Sequence, residues 1–189
     1  MEKSTKKIVI AALMAAFTCI ATMILKWPMP TLGYIHIGDG MVLLCGIVLG
    51  PVTGMFSAGI GSMFADFFSG YISFAPATLM IKASTAGISG FLFHKLKHHV
   101  KATYVRNIVI IVSGIIGESI MVIGYFLYET GIAAFASGGF SPAALAAGAV
   151  ASVVGIPFNI IQGVVGIFIC LLVLPILLKI SDIRDWILL

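Results

Sequence analysis

The chain has 189 residues, 60% hydrophobic and only 10% charged, and its 11 Lys and Arg against 7 Asp and Glu leave a formal charge of +4. A water-soluble domain wets its surface with about 25% charged residues, so a soluble enzyme, a nucleic-acid binder and a disordered scaffold are excluded. What remains is an all-α polytopic membrane protein with one domain over residues 1–189.

The basic head Met1 to Lys7 followed by the apolar run Ile8–Leu25 has the outline of a signal peptide. The run exceeds the usual 7–15 apolar residues, no small-x-small cleavage site follows, and Trp27-Pro28-Met29-Pro30 comes next. It is therefore read as a retained first span. Ala11, Ala12, Ala15 and Ala16 form two overlapping Ala-x-x-x-Ala pairs, which put small side chains on one helix face and admit a neighbouring backbone. That face suits either docking of another membrane protein or packing within the chain.

A Pro-containing loop, Lys26 to Gly38, leads to the apolar run Met41–Leu49, which stops at Gly50-Pro51; Val52–Phe68 follows. A turn at Gly50-Pro51 gives six spans, and a continuous helix would give five. With six, both termini are cytoplasmic; Lys3, Lys6, Lys7, Lys95, Lys97, Lys101, Arg106, Lys179 and Arg184 lie inside, Lys26 outside and Lys82 within the membrane. That distribution obeys the positive-inside rule and decides for six. The second span is short, roughly 18 Å at the helical rise, so neighbours must shield it. Gly54, Ala58 and Gly61-Ser62 give the third span a small face for packing inside the chain.

After a break at Gly70-Tyr71-Ile72-Ser73, the fourth run is Ala75–Leu92, ending in the basic stretch His94-Lys95-Leu96-Lys97-His98-His99. The histidines are read as a solvated basic loop, not a metal site. Val105–Leu127 is the fifth run, Gly131–Ser141 a small-residue loop, and Pro142–Leu178 the last run, long enough to begin with a loop helix and to kink at Pro157. Cys19, Cys45 and Cys170 sit in apolar runs without a C-x-x-C pair, so neither zinc nor redox chemistry is expected. No Walker A pattern exists, so any ATPase that powers uptake is another chain.

Ionisable groups inside a bilayer cost about 2.5–3.5 kcal/mol each on insertion scales, so they are functional candidates. Lys82 lies in the fourth span, Glu118 in the fifth, Asp66 near the outer end of the third, and Asp39 at the start of the second. Asn159 and Gln162, three apart, share a face of the sixth. Each has a purely structural alternative. Asp66 and Lys82 suit an interhelical ion pair, Asp39 a helix cap, Glu118 a bond to a nearby Ser or Lys, and Asn159 with Gln162 interhelical glue. Trp27, Tyr34, Tyr71, Phe74, Tyr125 and Tyr128 form either an aromatic belt or a stacking wall for a flat ligand. His36 adds a neutral donor and acceptor at the mouth.

The chain resembles the substrate-binding S components of energy-coupling factor (ECF) vitamin transporters over essentially its whole length. The resemblance is carried by Ala11–Ala16, Gly33-Tyr34-Ile35-His36-Ile37-Gly38-Asp39, Leu49-Gly50-Pro51, Ala65-Asp66 to Gly70-Tyr71, Ala75-Pro76-Ala77-Thr78-Leu79-Met80-Ile81-Lys82 and Pro157-Phe158-Asn159-Ile160-Ile161-Gln162. It implies a six-helix, non-enzymatic subunit in a bacterial cell membrane that captures a vitamin or precursor on the outer side. It also implies a transmembrane T component and two cytoplasmic ATPases as partners, with the Ala face of the first helix on the T component. The mechanism it implies is a toppling of the whole subunit in the membrane. Riboflavin-type members tend to carry a basic residue where Gln162 stands. The His-Ile-Gly-Asp and Ala-Pro-x-Thr-x-x-x-Lys pieces look more like the hydroxymethylpyrimidine or pyridoxine branch, with riboflavin still open.

The expected ligand contacts are His36, Asp39, Lys82, Glu118, Tyr125, Asn159 and Gln162, then Tyr34, Asp66 and Tyr71, with no metal and no cofactor. Lys82 suits a phenolate or bound anion, or neutralises Asp66. The rival reading is a self-sufficient secondary transporter in which Asp66, Lys82 and Glu118 relay protons.

Overall fold

Residues 3–96 and 103–188 are described by the structure, a computed structural model. Helix α1 runs Lys3–Ile24, and α2, Asp39–Leu49, meets α3, Pro51–Phe68, at a sharp reversal. The reversal stands on Gly50, whose φ of 80° is open to glycine at little cost, with Pro51 opening α3 where its missing N–H is not needed. The turn read from Gly50-Pro51 is therefore real. Helix α4 is Ala75–Leu96, and α5 extends over Thr103–Ala136. Then follow α6, Pro142–Ser152, a 3-10 turn at Val153–Gly155, α7, Ile156–Leu177, and α8, Ser181–Leu188.

Several boundaries differ from the sequence reading. Helix α5 continues through Tyr128 to Ala136, beyond the expected end at Leu127, because Gly131 is followed by helix-forming Ala133 and Ala134 and no proline intervenes. The last run does begin with a separate helix: α6 passes through the 3-10 turn Val153–Gly155 into α7, and Pro157 lies in the first turn of α7, where its missing N–H is tolerated. Helix α8 is an addition; its Ile183 and Ile187 are buried in the core cluster with Leu43, Leu44 and Ile47 of α2. The loop before α2 folds into an antiparallel pair, β1 (Lys26–Pro28) and β2 (Tyr34–His36), in register Lys26 with His36 and Pro28 with Tyr34. The amide of Met29 closes its turn on the carbonyl of Gly33 at 3.1 Å. Of the basic stretch after α4, Lys97, His98, His99 and Lys101 lie outside the described residues; His94 Nε2 meets the carbonyl of Ile47 at 2.8 Å.

Helix α2 is apolar on every side, which is the pattern of a helix enclosed by others. All its residues except Met41 are buried, and it packs against α1, α3, α4, α7 and α8. Close approach needs small residues. A Cβ on Gly46 would stand 2.1 Å from the carbonyl oxygen of Ala86, and one on Gly61 of α3 would stand 2.3 Å from that of Ala15 in α1. The small face of α3 thus packs within the chain, as expected. Among the described residues, Thr5–Ile24, Thr103–Ala136 and Pro142–Leu177 are long and apolar enough to cross a membrane; α2 is apolar but short. Large apolar side chains such as Phe17, Phe56, Phe91 and Phe168 stand outside, a surface that suits lipid and not water.

Candidate functional site

The apolar cluster fills the α8 end of the bundle, and the buried ionisable side chains gather towards the hairpin end. Asp39 opens α2 and Lys82 lies two turns into α4; both side chains are 0% exposed, and Nζ meets Oδ1 at 2.5 Å. The second carboxylate oxygen accepts from Gln162 Nε2 at 2.7 Å, while Gln162 Oε1 accepts the backbone N–H of His36 at 2.9 Å. One amide on α7 therefore ties the hairpin to the floor of the site. The ammonium also faces the ring of Tyr125 at 5.2 Å, a cation–π contact. A buried pair persists only when its remaining bonds are made, and here each oxygen of Asp39 has a donor.

This arrangement settles the structural alternatives. Asp39 makes no side-chain cap on its own helix. Lys82 pairs with Asp39, not Asp66, and so is already neutralised and offers no free cation. Asp66 Oδ1 accepts the Tyr34 hydroxyl at 2.6 Å, and its Oδ2 is buried without a hydrogen-bond partner. Glu118 is also buried with both oxygens unpartnered, so the expected bond to Ser or Lys is not made. It borders a groove between α5 and α7 with Ile160, Gly163 and Val164, away from the cavity under the hairpin.

That cavity is lined by Tyr34 and His36 of the hairpin, Asp66 of α3, Phe74 and Thr78, Tyr125 and Glu129 of α5, and Asn159 of α7, with Met29 and Gly33 at the tip. Its volume is about 20 Å³, room for a single water. The structure thus brings Tyr34, His36, Asp66, Tyr125 and Asn159 to one cavity and sets Asp39, Lys82 and Gln162 in a hydrogen-bonded group tied to it through His36. Tyr71 supports the wall from behind, its ring 4.5 Å from that of Tyr34. Sequence reasoning missed Thr78 and Glu129. Each stands four residues from a residue it did identify, Lys82 and Tyr125, and so shares that helix face.

His36 lies in the loop and is buried. Its Nδ1 accepts the Gly38 N–H at 3.0 Å, which requires that nitrogen to be unprotonated. Burial pulls its pKa down to about 4, the Lys82 charge adding to the effect and Asp39 opposing it. Burial and the Asp66 carboxylate push the Tyr34 hydroxyl well above its ordinary value. Above pH 6.5 His36 is neutral both folded and unfolded. As pH falls from 6.5 towards 4 the unfolded chain takes the proton and the folded chain does not, so stability declines by up to about 3 kcal/mol. The melting midpoint in detergent is expected to fall over that window. His36→Asn, whose Oδ1 can accept the same Gly38 N–H, is expected to flatten the profile; an unchanged slope would refute the assignment.

The comparisons with known proteins agree with this architecture. A relative from Pyrococcus woesei, described as an uncharacterized protein in gap 3'region, is 33% identical over 107 residues, which is 56% of this chain and 66% of that protein's own length. A solved structure described as the S component of a bacterial ECF transporter superposes with a TM-score of 0.63 at 19% identity, over 93% of this chain and 97% of that one, and shows the fold. The family model described as ECF-type riboflavin transporter, S component, matches residues 2–179, and the chain belongs to that family of non-enzymatic membrane transport subunits.

Proposed function

We propose that the cavity under the hairpin is the ligand site of this S component, and that it takes a small flat nitrogen heterocycle bearing hydroxymethyl groups, of the hydroxymethylpyrimidine or pyridoxine type. The single observation that carries the reading is the Asn159 carboxamide. It is 3% exposed, faces an aromatic-lined cavity, and makes no hydrogen bond among the described residues. Beside it Asp66 Oδ2 is buried without a hydrogen-bond partner, and such a group costs stability unless something supplies one. Tyr34, Phe74 and Tyr125 offer ring faces, and Thr78 and Asp66 offer polar edges. A ring cannot enter about 20 Å³, so capture requires the hairpin tip to withdraw and reclose. Riboflavin is the second reading, favoured by the description of the matching family model.

The hairpin end faces outward in a bacterial plasma membrane, with six spans and cytoplasmic termini, and the Ala face of α1 meets a T component working with two ATPases. Supporting the last point, Ala12 and Ala16 line an apolar groove of about 760 Å³ between α1 and α3. The secondary-transporter alternative has less support: Asp66 bonds Tyr34, Lys82 pairs with Asp39, and Glu118 has no hydrogen-bond partner, so no hydrogen bond joins the three to one another.

Mass spectrometry of small molecules released from the purified, denatured protein tests the ligand. A heterocyclic alcohol of the first type is expected, riboflavin would select the second reading, and a phosphorylated or acyclic solute would defeat both. Asn159→Ala is expected to weaken the released compound's rebinding at least tenfold, about 1.4 kcal/mol, by calorimetry; unchanged affinity would move the site elsewhere.

A further inference from the structure

Among the described residues, acids but no cation line the cavity; Lys26 stands outside it, its Nζ 5.9 Å from the Tyr34 ring. Asp66 and Glu129 both line it, and Asp66 Oδ2 is buried without a partner. Lys82 is consumed by Asp39 at 2.5 Å. Glu129 is 2% exposed and has a built seat. Its Oε1 accepts from the Thr31 hydroxyl at 3.2 Å. A Cβ on Gly33 would stand 3.1 Å from Oε1, and one on Gly155 would stand 3.3 Å from Oε2. Two glycines thus leave room for this carboxylate between the hairpin tip and the start of α7.

Glu129 also faces a second cleft of about 340 Å³, walled by Pro30, Thr31 and Leu32 and by the facing ends of α5 and α6. It is therefore the wall common to an outer cleft and the inner cavity. A solute arriving through the cleft meets this carboxylate before the aromatic walls and keeps the contact once enclosed.

We propose that Glu129 selects the ligand by charge: it receives a nitrogen-borne donor, an exocyclic amine or protonated ring nitrogen, and the site turns away phosphate monoesters and carboxylates. The inference rests on the reading of the cavity as the ligand site. Paired with a cationic nitrogen the carboxylate is ionised and only accepts hydrogen bonds, so it complements N–H, whereas an anion brought to the same seat finds neither a donor nor an opposite charge. Asp66 Oδ2 adds a second acceptor to the same cavity, and the ring faces of Tyr34 and Tyr125 favour a cationic heterocycle. Selection of this kind needs no further contact with the wrong solute.

The test is calorimetry on the full chain in nanodiscs, with hydroxymethylpyrimidine, pyridoxine and riboflavin, each beside its phosphate monoester. The parent is expected to bind an amine- or pyridine-bearing alcohol and its phosphate roughly a hundredfold more weakly. Glu129→Gln keeps an acceptor for Thr31 and is expected to cost at least tenfold for the alcohol while narrowing the discrimination about tenfold. An unchanged affinity and ratio in Glu129→Gln, with Asn159→Ala still impaired, would overturn the proposal and leave the cavity reading standing. Preference of the parent for any phosphate over its alcohol would also overturn it. Parent binding unaffected by either variant, or absent for every probe, would remove both.

Discussion

Lys82→Ala is expected to lower the melting midpoint in detergent by roughly 10 °C and to weaken ligand binding at least tenfold. The cause is the carboxylate left behind. Asp39 is 0% exposed, and removal of Lys82 leaves it with the Gln162 amide as its side-chain donor. Breaking a buried pair in this way costs about 3–5 kcal/mol, because one charge remains in a medium that cannot solvate it. At about 2–4 °C per kcal/mol for a chain of this size, the shift follows. The floor moves as well: Gln162, freed to follow Asp39, no longer fixes the His36 amide, and the hairpin loses its tether to α7. The double variant Asp39→Asn with Lys82→Met removes both charges at similar volume and is expected to recover most of the stability. A single variant that melts like the parent would show that the pair contributes nothing.

Ala12→Trp is expected to abolish uptake and co-purification of the T component while leaving ligand affinity and melting near parent values. Ala12 is exposed on α1 and lines the groove with Val52, Phe56, Ile60 and Phe64. An indole there occupies the space a neighbouring helix backbone would need. Ala15 makes a less clean test, because its carbonyl lies under Gly61 of α3 and Ala11 accepts the Ser57 hydroxyl at 2.7 Å. All four alanines line the groove, with Ala12 and Ala16 the more exposed pair and Ala11 and Ala15 also packed through their carbonyls against α3. Normal uptake by Ala12→Trp would place the partner elsewhere.

The membrane class, the Gly50 reversal and the small-residue faces were legible because each follows from local chemistry: apolar runs, a positive φ that favours glycine, and helical spacing of small side chains. The pairing of the buried charges was not. The sequence alone suits Asp66 as the mate of Lys82 and Asp39 as a helix cap, whereas Lys82 pairs with Asp39, held in place by Gln162, which comes from a helix 123 residues beyond Asp39 and binds its second oxygen. Glu129 escaped notice because hydropathy ended α5 at Leu127, whereas the helix continues to Ala136. Eleven residues, about three turns, separate it from Glu118, so the two acids lie along one face. Yet they serve different spaces, since Gly163 lets α7 close over Glu118 while Gly33 and Gly155 leave room beside Glu129.

The groove between α1 and α3 has a consequence for assembly. In a bilayer, an apolar groove of about 760 Å³ is open to acyl chains, so a partner docking there, as proposed, would displace lipid as it arrives. Complex formation should then respond to chain length and saturation of the surrounding lipids even when no residue of either protein is altered. Short, disordered tails that fill the channel poorly would favour assembly, and tails that pack it well would compete.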